Sequence, residues 1–264
     1  PALRPGLQSR LGYARRQSLD RLAELEGAGA RAEILEGLRD RSGLVRGVAQ
    51  FHAARMALVP DLGAFYVALL DEGARSSVEV AISSLAELNR PTAWPRVQPF
   101  LRARSARLRS SALRAGVQLS PATMAPALWE ALASPFPSVS RLASALLARR
   151  PWAGESTRQA LDLAVSATQP EFVRFHAVRL LESAPKWQQA IAWLEILHRV
   201  TGPTRDRSLE ELARWNRLFN RSSVRPTPDE MAAFANGLAA AEGLLPTRLR
   251  RDLEFALVAW GWKP

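Results

Sequence analysis

Chemistry needs nucleophiles, bases or metal ligands at workable spacing, and this chain is sparing with all three. Cysteine is absent, which removes disulfides, thiolate metal sites and cysteine nucleophiles together. The histidines are His52, His176 and His198. None pairs with a nearby histidine or carboxylate at metal-ligand spacing. His176 reads as a hydrogen-bonded histidine of a core or groove, because a buried polar ring must find a partner; proton transfer is its functional alternative. Gly27-Ala-Gly-Ala-Arg-Ala32 satisfies the relaxed dinucleotide fingerprint. That motif works only between a strand and a helix, with an acid about 20 residues on. Here a helical pattern precedes it and no acid lies near position 52, so it reads as a helix–loop–helix turn. Carboxylates such as Asp20, Glu24, Asp206, Glu210 and Glu211 fit helix starts and exposed faces. The reading expects no catalytic residue, no cofactor and no metal.

Cationic charge is the feature that stands out. The formal net charge is +11. Residues 88–154 hold ten arginines and a single acid, Glu130. A single-sign field of this size attracts anions. The candidate anion- or partner-binding residues are Arg96, Arg102, Arg104, Arg107, Arg109, Arg114 and Arg141. The competing reading is a solvated face, or arginines paired with carboxylates of other helices. Lys186 and Lys263 are the only lysines, a bias that a GC-rich genome also produces.

The elements that must position these residues are helices. Apolar residues recur three and four apart in runs such as Leu19-Asp-Arg-Leu-Ala-Glu-Leu25 and Ile34-Leu-Glu-Gly-Leu38, and strand-like alternation is lacking. Pro60, Pro95, Pro121, Pro151 and Pro185 stand where helices could begin. The 264 residues, 47% hydrophobic and 23% charged, suit a globular protein of one large domain or two small ones. The longest uncharged run, Ala115–Trp129, contains Pro121 and Pro126 and is too short to span a bilayer. The first residue is Pro1 rather than a methionine, which reads as a processed product or a piece of something longer. That leaves an upstream signal or anchor open; the expected location is cytoplasmic.

Self-similarity organises the chain. Val45-Arg-Gly-Val-Ala49, Ser77-Val-Glu-Val-Ala81, Leu108-Arg-Ser-Ser-Ala112, Val139-Ser-Arg-Leu-Ala143 and Val173-Arg-Phe-His-Ala177 align without gaps, their alanines 32, 31, 31 and 34 residues apart. Each is the centre of an amphipathic helix whose small residue lets a neighbour approach closely. Ala81, Ala112, Ala143 and Ala177 are therefore expected to be buried at helix–helix contacts. A second set of helices is expected at about 30–39, 60–70, 95–103, 122–133, 155–167 and 186–199.

Two helices per period, with Val45-Arg46…Ala49, Leu108-Arg109…Ala112 and Val173-Arg174…Ala177 and prolines opening the alternate helices, make residues 29–200 similar to the HEAT-repeat family. The resemblance implies an all-α, right-handed α-solenoid of about five helical hairpins with helical caps. It also implies an arginine–aspartate ladder, from which Val78 and Ser140 depart by standing in the arginine's place. Residues 1–28 read as N-terminal capping helices and 201–264 as a C-terminal helical cap or subdomain. In the latter, Ser208-Leu-Glu-Glu211 and Thr227-Pro-Asp-Glu230 read as capping boxes, and Pro246-Thr247 opens the last helix.

HEAT-like di-iron hydroxylases need several His–Glu pairs, which this chain lacks. HEAT-like DNA glycosylases use a carboxylate beside tryptophans in a basic groove; here no tryptophan has an aspartate three or four residues after it. Of the eight tryptophans, Trp94, Trp152 and Trp187 flank prolines and suggest packing, while Trp260 and Trp262 are the candidates for an exposed contact surface. The function expected from the resemblance is a non-catalytic recognition scaffold. Its concave face, built from the second helix of each repeat, would hold a protein partner. The alternatives are nucleic acid on the arginines of 88–154 and an anionic membrane surface. A HEAT-like glycosylase comes last.

Overall fold

The structure, a computed structural model, describes residues 3–152, 154–218 and 224–259. Helix accounts for 78% of it and no strand is present among the described residues. The chain divides into two compact units, 1–127 and 128–264, a division that falls inside the expected repeat array rather than near 28 or 200.

The first unit contains α1 (Gly12–Glu26), α2 (Arg31–Gly37), α3 (Gly43–Arg55), α4 (Leu62–Asp71), α5 (Arg75–Glu87), α6 (Trp94–Val97) and α7 (Ala106–Leu119). Asp61 caps α4, its Oδ1 accepting from the Gly63 N–H at 2.7 Å; Asn89, at φ 48°, turns the chain away after α5. Residues 95–103 do not form the single helix expected. They fold as α6, with Pro95 in its first turn where no N–H is needed, followed by a 3-10 turn, Gln98–Arg102, because Pro99 withholds the N–H that a continuous α-helix requires. Gly27–Ala30 is a 3-10 turn between α1 and α2, not a phosphate loop. Two apolar clusters result. Leu19, Leu22, Ile34, Leu38, Val45 and Ala49 join α1, α2 and α3, while Tyr66, Leu69, Ile82, Leu85, Val97 and Ala112 join α4, α5, α6 and α7.

The second unit contains most of α8 (Met124–Leu132), then α9 (Pro137–Leu147), α10 (Gly154–Val165), α11 (Glu171–Leu180), α12 (Lys186–Arg199), α13 (Pro203–Leu218), α14 (Pro228–Ala240) and α15 (Thr247–Ala259). Here α10 packs on α11 and α12, α11 on α13, and α12 on α13 and α14. Thr227 forms the expected capping box: its Oγ1 accepts from the Glu230 N–H, and the Glu230 carboxylate accepts from the Thr227 N–H. The other expected box is absent. Gly202, at φ 75°, turns the chain so that α13 begins at Pro203. Ser208 is therefore a buried residue of the second turn whose Oγ donates to the Thr204 carbonyl.

Ala49, Ala81, Ala112, Ala143 and Ala177 are all fully buried, as the close-approach argument requires. Side-chain contacts carry the same period. Asp20 meets His52, Arg39 meets Glu72, Thr157 meets Gln188, Glu171 meets Thr204 and Glu182 meets Arg214, each pair 31 to 33 residues apart. Residue n of one helix pair thus faces its counterpart in the next.

Candidate functional site

A recurring guanidinium fixes how four of the helices begin. Arg15, Arg46, Arg109 and Arg174 are each the fourth residue of their helix. Arg15 Nη1 donates to the carbonyls of Ser9 and Arg10, and Arg46 Nη1 to those of Asp40 and Arg41. The offsets, six and five residues back, are the same. Arg109 Nε reaches the Ala103 carbonyl, again six back, and Arg174 Nε the Ala164 carbonyl. The rigid fork satisfies turn carbonyls that a buried chain reversal would otherwise orphan. Arg15 also grips both oxygens of Asp40 at 2.7 Å, and buried Arg46 pairs with Glu87. Burial favours the neutral form of Asp40, yet the hydrogen bonds from Arg15 and from the Ser42 N–H outweigh it and hold its pKa below the ordinary 3.8. Arg15, on α1, thus repeats the arrangement of Arg46 31 residues earlier in the chain.

Ser140 occupies the arginine position of α9. It is fully buried, and its Oγ lies 2.9 Å from His176 Nδ1. His176 is thus a half-buried, hydrogen-bonded histidine whose pKa is lowered by burial and then by Arg141 and Arg179. His52, which showed no partner along the sequence, is buried with Nε2 2.8 Å from Asp20 Oδ1. The pairing spans one repeat, the signal by which the sequence would have revealed it.

The predicted arginines divide by their surroundings. Arg96 and Arg107 pair with Asp71 and Glu79 of other helices, as Arg90, outside the predicted set, does with Asp61. Arg109 is half-buried in its turn. Arg102, Arg104 and Arg114 are exposed around the start and outer face of α7. Arg141 is exposed on α9, in the second unit.

Sequence reasoning missed a cavity of about 350 Å³ beside α12 and α13, lined by Glu182, Lys186, Gln189, Trp193, Glu211, Arg214, Trp215 and Leu218. Trp215 is seated by Trp187 and Phe234 at 5.5 and 5.8 Å between ring centroids, and its Nε1 donates to the Lys186 carbonyl. Glu211 is only 3% exposed. Its pKa is raised by burial and by Glu182, against the pull of Arg207 and Arg214. The signal in the sequence is Glu211, one turn before Trp215. The arrangement suits a small polar ligand with an apolar body. Trp260 and Trp262 lie outside the described residues.

Among the described residues, no group of three or more histidines, aspartates or glutamates is placed to hold a metal ion, and no helix is long and apolar enough to cross a membrane. No protein-family model matches the chain, and no curated protein matches it.

Proposed function

We propose that the chain is a HEAT-like, right-handed α-solenoid of about five hairpins with helical caps. Its function on this reading is to hold a protein partner on the face formed by the second helices, without catalysis. Contacts that repeat every 31 to 33 residues and the guanidinium turns support the architecture. The observation that carries the function is on α3, a second helix. Leu44 and Phe51 are 56% and 60% exposed, although the same helix already buries Val45, Ala49 and Ala53 on its inner side. A helix apolar on both faces needs a second cover. Photo-crosslinking side chains placed at Leu44 and Arg114, on second helices, should capture the same protein. Those at Arg31 and Arg158, on first helices, should not. Equal capture from both sets would defeat the reading.

Nucleic acid is the second reading, favoured by the exposed Arg102, Arg104 and Arg114. If four to six arginines neutralise phosphates, duplex affinity falls about 10²- to 10³-fold between 50 and 200 mM salt. Fluorescence anisotropy on duplex and single-stranded oligonucleotides measures this. Unchanged binding after Arg102, Arg104 and Arg107 are replaced by Glu removes nucleic acid as the partner of this patch.

A further inference from the structure

We infer that the outer face of α3 is a docking site for an acidic, amphipathic helix of a partner protein. The inference rests on the scaffold reading and names the chemistry of what is held.

Leu44, Gly47, Val48 and Phe51 fall at i, i+3, i+4 and i+7, a single stripe along α3. Leu44, Gly47 and Phe51 are exposed, and Val48 is half-buried. A Cβ added at Gly47 would meet nothing within 4 Å, so the middle of the stripe is open and flat between two large apolar side chains. α1 runs alongside, and Tyr13, 61% exposed, stands where Leu44 does: both are two residues before a ladder arginine. The stripe is therefore bordered by an aromatic ring on the neighbouring helix. That is a helix-sized seat with bulk at each end and room for close approach between.

Charge decides the occupant. Exposed Arg41 lies at the head of α3, its Nη2 3.4 Å from the Arg10 carbonyl, so the turns before α1 and α3 are side by side. Arg55, at the tail, lies over the Phe51 ring at 5.8 Å, and exposed Arg16 is one turn beyond Tyr13. The acids of α1 that come nearest in the repeat frame are already engaged, Asp20 with His52 and Glu24 with Arg21. Cations thus frame the stripe at both ends. Exposed Phe51 and Tyr13 are rings on which nucleic-acid bases can stack, which makes nucleic acid the rival that the test has to separate from a helix. From Arg41 to Arg55 is about 20 Å of helix at 1.5 Å per residue, so a partner helix of about 14 residues spans the seat, with apolar residues inward and carboxylates at its flanks.

The probe is a displayed library of 16-residue peptides with a leucine stripe fixed at i, i+3, i+4 and i+7 and the other positions randomised. It is selected on the whole chain. Aspartate and glutamate should be enriched several-fold at the flanking positions, and the winning peptide should bind more weakly as salt rises. Gly47→Gln is the diagnostic variant. It places bulk in open space, so the thermal midpoint stays or rises, while peptide affinity falls at least tenfold. Arg41→Glu with Arg55→Glu should cost a similar factor. Selection of basic or neutral peptides, an affinity indifferent to Gly47→Gln, or failure to enrich any peptide overturns the inference. Displacement of the winning peptide by duplex DNA, with loss of DNA binding in the double arginine variant, would assign the surface to nucleic acid instead. If the peptide test fails while photo-crosslinking at Arg114 still captures a protein, the scaffold reading stands and only this assignment falls.

Discussion

The junction between α1 and α3 and the junction around α12 hold helix pairs of the same period by different forces. In the first, guanidinium groups do the joining. Arg15 and Arg46 thread into chain reversals, bind two carbonyls each, and carry a carboxylate on the far side. In the second, aromatic rings do it: Trp187, Trp215 and Phe234 pack edge to face or tilted, and both indole N–H groups end on carbonyls, Trp187 on Val224 and Trp215 on Lys186. The lesson concerns the cost of a buried polar turn. A guanidinium satisfies the turn directly but must itself be desolvated and paired. Rings bury apolar area and need only one hydrogen bond each.

Trp187→Ala tests the aromatic side with the largest effect. It removes a fully buried ring and should cost about 3–5 kcal/mol. Hydrogen-exchange protection should fall in α12–α14 while the amides of α1–α3 keep theirs; loss of protection in both regions would erase the contrast. Arg46→Ala is the matching cut in the first junction. The Arg46 side chain is 4% exposed but Glu87 is 40% exposed, so Glu87 can rehydrate. The expected loss is about 2–3 kcal/mol, below the 3–5 of a fully buried pair. Arg46→Lys should recover little, because one ammonium nitrogen cannot serve both the two carbonyls that Nη1 takes and the Glu87 carboxylate that Nε and Nη2 take. Recovery by Lys in chemical denaturation would mean that charge alone matters.

Ala112→Leu asks whether the close contact common to the helix pairs is as tight as its burial suggests; overpacking should cost about 1–3 kcal/mol, read as a lowered thermal midpoint. The two regions should also respond to acid at different pH. His176 has a folded pKa below its ordinary 6.5. Its contribution is therefore complete above 6.5 and is lost as pH falls from there through the folded value. Asp40, lowered from 3.8, keeps its contribution down to about that pH and loses it below. Glu211, raised from 4.5, acts in the opposite sense, its contribution fading as pH rises through the folded value. Stability of the second unit should thus begin to fall just below pH 6.5, and His176→Asn should flatten that limb without moving the one below 3.8. A titration in which His176→Asn leaves the upper limb intact would refute the assignment. The smallest effect is Gly47→Ala. With open space around a Cβ and a helical backbone, it should stabilise the first unit by about 0.5–1 kcal/mol, seen as a higher denaturation midpoint.

By itself the sequence determined the helical class, the period and the buried alanines, because these follow from local spacing: apolar residues three and four apart make one face, and a small residue at its centre marks a close contact. The α12 boundaries match the expected 186–199 because Pro185 cannot extend the preceding chain into a helix and the apolar run ends at Val200. Local rules failed where two of them competed. Pro99 broke an amphipathic run, and the turn at Gly202 moved a helix start five residues ahead of Ser208. Tertiary structure alone decided the partners. Arg96, Arg104 and Arg107 read alike along the chain, yet it is Arg96 and Arg107 that meet acids of other helices, Asp71 and Glu79. His52 found Asp20, Ser140 found His176, and Glu211 came to line a cavity together with Trp215. Such pairs form because stacking brings together residues one period apart, and a side chain's charge state and company depend on that stacking rather than on its neighbours along the chain.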